Sequence, residues 1–267
     1  MRLTIFSVCL IVGSTIVSSS CQKEHGLSNK ANDIAASKQA PNIKADTKYN
    51  TFYGPQTEVG AGNARTFGTI SHTGVPQEVG VIFTNEALSG LPSVNTIYPL
   101  EFHNKALEAT LFEHVALGLS AGGHALPPSG AIGPHMDVRF FMMTQEERLA
   151  IPAPPAPGFD VAPPPGYLPA NYALNAAVAM IGRHWGDNIF TAGQTVHHTM
   201  ILGTWNGQLT FVNPIVTLAT LASGQSYSVN YPQPQFFAEH GYYPTRYNIY
   251  EDDKGRHYVT LSNFVWR

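Results

Sequence analysis

The sequence predicts a β-rich α+β domain of antiparallel strands and hairpins with a few short helices. Three observations carry this. Short apolar segments of strand length alternate with Gly, Pro and Asn turn signals along most of the chain. Asn206-Gly207 falls inside one alternating stretch and is a strong two-residue hairpin signal. The repeated βαβ spacing of a parallel sheet is missing. Of the 267 residues 43% are hydrophobic, which excludes disorder, and only 12% are charged against roughly 25% in an ordinary globular chain. The length accommodates one large domain or two small ones.

Residues 1–20 read as an export signal: Arg2, then the mostly apolar run LTIFSVCLIVGSTIV, then three serines. About 15 apolar residues fall short of the ~20 that span a bilayer, so cleavage is expected rather than retention. Cys21 directly after small residues resembles the bacterial lipobox, although Ser18 stands where leucine is usual. Diacylation of Cys21 would tie the protein to a membrane, each buried methylene adding ~0.8 kcal/mol. Cleavage near Ser20 without acylation would instead leave a soluble periplasmic protein. Residues 21–50 are polar, mixed in charge and almost free of aromatics, as in a flexible tether. Aromatics begin abruptly at Tyr49, Phe52 and Tyr53, so a single β-rich domain is placed at 51–267.

Strands are expected at 64–71, 78–84, 95–102, 111–119 and 136–143. Hairpins are expected over 195–212 and over 246–266, the second turning at Asp253-Lys254-Gly255. Short helices are expected from Thr84 to Gly90, after the Thr144-x-x-Glu147 capping box, and from Asn175 to Met180. Residues 151–169 are too proline-dense for helix or central strand and read as a stiff surface loop.

Charge and cysteine exclude several function classes. Fifteen Lys and Arg against 18 Asp and Glu give a net charge of −3, and no basic run occurs, so nucleic acid is not an expected partner. The only cysteines are Cys9 and Cys21, which removes disulfide frameworks, thiolate metal sites and a cysteine nucleophile from the folded part.

The densest chemistry-bearing stretch runs from Gly122-Gly123-His124 to Pro134-His135-Met136-Asp137-Val138-Arg139. In a strand, His135, Asp137 and Arg139 share one face. His124 lies across a short Gly- and Pro-rich loop, and Gly182-Arg183-His184 supplies a third imidazole in a loop-like setting. His124, His135, Asp137 and His184 could together hold one divalent transition metal such as zinc or iron. The competing reading has core histidines bonded to backbone carbonyls and Arg139 bridging Asp137. Gly118-Leu119-Ser120-Ala121-Gly122 matches a hydrolase nucleophile elbow, but glycines and prolines follow where a helix is required, so Ser120 reads as a turn residue. His197-His198 would point to opposite faces of a strand, and His114 reads as a core histidine. Tyr242, Tyr243, Tyr247 and Tyr250 read as packing residues rather than a sugar-stacking surface, and Glu251-Asp252-Asp253 as solvated.

Several motifs recur in a fixed order: Gly62-x-x-Arg65-Thr66, Gly74-x-Pro76, Ala87-Leu88-x-Gly90-Leu91-Pro92, Gly123-His124 with Pro127-Pro128, and Pro134-His135-x-Asp137. Gly182-x-His184-Trp185-x-Asp187, Gly203-x-x-x-Gly207 and a tyrosine-rich C-terminal hairpin complete the set. In these, from Tyr53 to Phe264, the chain resembles a group of bacterial exported proteins that share a domain of unknown function. The prototype of that group is a thermophile protein controlled by an extracytoplasmic-function sigma factor and its anti-sigma factor. The resemblance implies an envelope protein with a His/Asp pocket. Typical members carry a second histidine where Arg139 stands and Glu-Pro where this chain has Asn213-Pro214, so two ligands that the resemblance would imply are replaced here.

The expectation is therefore a lipid-anchored bacterial envelope protein, a homo-oligomer with a binding or structural role, whose His/Asp pocket is the place for a divalent metal. The alternative is a metal-dependent hydrolase or lyase in which that metal lowers the pKa of a bound water.

Overall fold

The computed structural model describes residues 48–126, 130–187, 189 and 193–267. The export signal, Cys21, the tether up to residue 47 and Pro127-Pro128 lie outside the described residues. Among those described, no helix is long and apolar enough to cross a membrane.

The domain is β-rich with a few short helices. The chain enters as a meander of β1 (Tyr49–Val59), β2 (Gly62–Ser71) and β3 (Pro76–Phe83). A single 3-10 turn follows at Asn85–Leu88, shorter than the helix expected there. Next come β4 (Thr96–Glu101), α1 (Asn104–Ala109), β5 (His114–Ser120), and the three-residue strands β6 (His124–Leu126) and β7 (Gly130–Ile132). β8 (His135–Phe141) precedes α2 (Gln145–Leu149), whose start is the predicted capping box: Thr144 accepts from the Glu147 N–H while the Glu147 carboxylate accepts from the Thr144 N–H.

β9 (Tyr172–Val178) occupies most of the segment expected to be helical. Alanine-rich sequence favours helix locally, but antiparallel pairing with β10 (Gly182–Asp187) overrides that weak preference. β10 also turns the loop expected around His184 into a strand. β11 (Thr195–Val196) is short, and β12 (His198–Trp205) and β13 (Gln208–Thr217) form the predicted hairpin, with Asn206 and Gly207 both at positive φ. α3 (Leu218–Ala222), β14 (Tyr227–Asn230), and the hairpin β15 (Tyr242–Glu251) and β16 (His257–Trp266) complete the chain.

The strands form a six-stranded sheet in the order β1-β2-β3-β16-β15-β14, and a seven-stranded sheet in the order β4-β5-β8-β13-β12-β10-β9. A small third sheet, β11-β7-β6, contains a parallel pair between β11 and β7. Alternate residues of the two large sheets meet in one core. Val79, Val81, Phe83, Val259 and Leu261 come from the first, and Leu117, Met136, Val138, Phe140 and Leu202 from the second. Removing such side chains from water, at roughly 25 cal/mol per Å² of apolar surface, is what holds the layers together.

β8 decides where the chemistry sits, because every one of its residues is buried. Met136, Val138 and Phe140 face the inter-sheet core. By the two-residue period His135, Asp137, Arg139 and Phe141 face the other way. That second face has its own covering. Leu126, Ile132 and Val196 of the small sheet pack on Ile201 and Ile215 at one end. Ala116, Phe141, Ile181 and Phe211 cluster at the other. A polar group lies between these two apolar patches.

Candidate functional site

Asp137 is the centre of that group and is 2% exposed. Its Oδ2 lies 3.0 Å from a terminal nitrogen of Arg139 and accepts from the Ser120 hydroxyl at 3.2 Å. Its Oδ1 accepts from the Asn213 amide at 2.9 Å. Burial alone would push the carboxyl up in pKa. Arg139, His135 and Asn213 together outweigh burial and hold it well below the usual carboxylate range. Gly118 makes room for the guanidinium: a Cβ there would stand 2.4 Å from an Arg139 nitrogen.

The register explains why these residues meet. Gly118 pairs with Asp137 and Ser120 with His135 across β5 and β8, while Ile215 pairs with Asp137 across β8 and β13. Asn213 therefore sits two residues along β13 on the same face, within reach of the carboxylate. Ser120 ends β5 and leads into a turn rather than a helix, so the elbow geometry is not formed.

His135 is fully buried. Its Nδ1 faces the Gly133 carbonyl at 2.7 Å, and its Nε2 stands 3.4 Å from Asp137 Oδ2 without hydrogen-bond geometry. The His124 ring packs edge-on against it, with centroids 4.8 Å apart, and His124 Nδ1 faces the Ala125 carbonyl at 2.9 Å. His184 on β10 directs Nδ1 to the Ala176 carbonyl at 3.3 Å and leans edge-on against Phe211. Burial, then the Arg139 charge, lowers its pKa to about 4, and the charges of Asp137 and His124 also reach it. A carbonyl oxygen can only accept. In the neutral rings each Nδ1 therefore carries the proton and each Nε2 presents a lone pair.

Of the four residues singled out from the sequence, His124, His135 and Asp137 lie side by side, and His184 is within reach of the charges of Asp137 and His124. The structure brings His124 against His135, and brings Asp137 to Arg139 rather than leaving it as an unshared oxygen donor. Among the described residues, no three His, Cys, Asp or Glu side chains already stand in a metal-holding arrangement. Asn213 and Ser120, read from sequence as a lost ligand and a turn residue, are hydrogen-bond donors to the central carboxylate. The available signal was their i+2 phase with other buried positions.

The remaining histidines and acids are accounted for separately. His114 stacks on Phe141 and accepts from Arg148 Nε at 3.1 Å. Burial, then the Arg148 charge, lowers its pKa to about 4. His197 is exposed at the bend between β11 and β12, whereas His198 is half-buried and 2.8 Å from the Tyr247 hydroxyl. Tyr242, Tyr243 and Tyr247 are buried, in keeping with a packing role. Asp252 is more than a solvated acid: it grips Arg256 and accepts from the Lys254 and Arg256 N–H groups, tying the last hairpin turn. Comparison of the chain with family models, curated proteins and solved structures gives no match.

Proposed function

We propose that the chain is an exported, lipid-anchored envelope protein that works by binding, and that the imidazole pocket beside Asp137 takes one divalent transition metal. One observation carries the reading: His135 Nε2 stands without a hydrogen bond 3.4 Å from an Asp137 carboxylate oxygen, in a fully buried place. With Nδ1 turned to the Gly133 carbonyl, this Nε2 is the ring atom left to take a positive charge, a proton or a metal ion, beside the one that Arg139 supplies. Imidazole nitrogen is a preferred donor for zinc, iron, copper and nickel. The carbonyl on each Nδ1 is the kind of outer partner that orients a ligating histidine. His124 is exposed on a three-residue strand, so it is the member that would turn to complete the site with His184.

Binding is favoured over a hydrolase or lyase reaction because Asp137 is already shared among Arg139, Asn213 and Ser120. Against burial, Arg139, His135 and Asn213 hold its carboxyl well below the usual carboxylate range, which makes it too weak a base to take a proton from a substrate or water. Elemental analysis of the purified chain is expected to find about one transition metal per molecule, by the one-ion geometry of such sites. His135→Ala is expected to abolish it. A chain that stays metal-free after reconstitution with zinc and iron would refute the reading. The anchor has its own measurement: a palmitate analogue should label the wild-type chain and not Cys21→Ser, and equal labelling would remove it.

A further inference from the structure

We propose that the outer face of the six-stranded sheet carries a second binding site, specific for a carboxylate borne on a hydroxylated ring, the uronic-acid class. The register sets out the platform. Gln56, Arg65, Ile82, Tyr258 and Tyr250 pair in succession across β1, β2, β3, β16 and β15, so they form one row on one face. Tyr53 pairs with Phe67 in the neighbouring row. This is the face turned away from the core, since Ala64, Val81 and Val259 occupy the opposite phase. Over the Gln56–Arg65–Ile82 end of the row lies a depression of ≈ 320 Å³, bounded by Tyr53, Gln56, Asn63, Arg65, Thr84 and Arg256. That volume falls at the lower end of small-molecule pockets, which run from about 300 Å³.

The charge is specific. Arg65 donates from Nε to the Gly54 carbonyl at 3.1 Å and lies 4.7 Å over the Tyr53 ring. Among the described residues it forms no ion pair, and its two terminal amino groups make no hydrogen bond. Arg256 opposite is neutralised by Asp252 at 2.6 Å. The pocket therefore holds one uncompensated positive charge on a fork whose geometry matches a carboxylate. Around it stand neutral donors and acceptors, the amides of Gln56 and Asn63 and the Thr84 hydroxyl. Ile82 is buried in the floor, and the Tyr53 ring, 43% exposed, offers the apolar surface that Arg65 leaves uncovered. A bare oxyanion would leave the rings and amides unused, and an aromatic carboxylate would leave the amides unpaired. A sugar ring with a carboxylate engages all three: guanidinium to carboxylate, amides to hydroxyls, C–H face to tyrosine.

Calorimetric titration of the full chain with glucuronate, glucose, benzoate and inorganic phosphate tests this. Glucuronate is expected to saturate and to bind at least about tenfold more tightly than the other three. Arg65→Met, which keeps the packing over Tyr53, is expected to weaken glucuronate by about tenfold or more, and Arg65→Lys by less, because charge survives without the fork. Gln56→Ala, at an exposed position, is a second reading that leaves folding intact. His135→Ala should leave glucuronate affinity unchanged, since the two sites belong to different sheets. The proposal is overturned by any of three results. The first is an absence of saturation by glucuronate up to about 50 mM, far above a millimolar Kd. The second is equal binding of glucose, benzoate or phosphate, and the third is wild-type affinity in the Arg65 and Gln56 variants.

Discussion

Asp137→Asn is expected to lower the free energy of unfolding by about 3–5 kcal/mol, read from urea denaturation of metal-free protein, the usual effect of breaking a buried ion pair from one side. The isosteric amide keeps the shape but removes the countercharge of Arg139, which is 8% exposed and has its Nε already without a hydrogen bond. The asparagine would also turn an N–H₂ group toward one of two donors, Asn213 on the Oδ1 side or Ser120 on the Oδ2 side. The double variant Asp137→Leu/Arg139→Met removes both charges and should recover most of the loss, because apolar pairs replace buried ion pairs at little cost. A single-variant effect below about 1 kcal/mol, the size typical of an exposed pair, would mean that the guanidinium escapes to water and that this face of the sheet is not closed.

Acid is the second large perturbation. His184 and His114 have folded pKa values near 4, against 6.5 in an open chain. Between those values the unfolded chain binds more protons than the folded one, so stability falls as pH drops from about 6.5 to about 4 and gains nothing further above 6.5. For buried His184 the shift corresponds to at most about 3 kcal/mol, at 1.36 kcal/mol per unit. His114 should add about 2 kcal/mol once partial solvent screening is allowed for. The sign follows from position. Both rings are desolvated, and each faces an arginine, Arg139 or Arg148, that disfavours a second cation. Below this window the depressed carboxyl of Asp137 takes over, since its contribution is complete above about 3.8 and is lost as pH falls further. Urea midpoints of metal-free protein at several pH values measure the curve, and His114→Gln should flatten it. A midpoint that stays constant between pH 6.5 and 4.5 would show that the rings reach water.

Much of the fold was legible because its signals are local. The Asn206-Gly207 turn needs only two residues able to take positive φ, and the Thr144–Glu147 capping box needs only four residues. β8 could be placed because MDVRFFMM is a continuous apolar-rich run of strand length. Its polar side could not be read as buried, because nothing near Asp137 in the chain announces the covering by Leu126, Ile132 and Val196. β9 and β10 failed for a related reason. Their residues favour helix or loop alone and become strands only in the ladder, β10 against β12 and β9 against β10.

The site divides in the same way. That His135, Asp137 and Arg139 share a face follows from the two-residue period, so their kinship was decided by sequence. Which partner Asp137 takes was decided by tertiary structure, since Ser120 and Asn213 arrive from strands 17 and 76 residues away. The Arg65 depression is likewise a product of pairing among β1, β2 and β3, with Thr84 and Arg256 brought to its edge from the turns that follow β3 and β15. Periodicity along a chain fixes which way a side chain points. Only the closing of distant strands on one another determines what it meets, because that choice is made by the burial of the whole core.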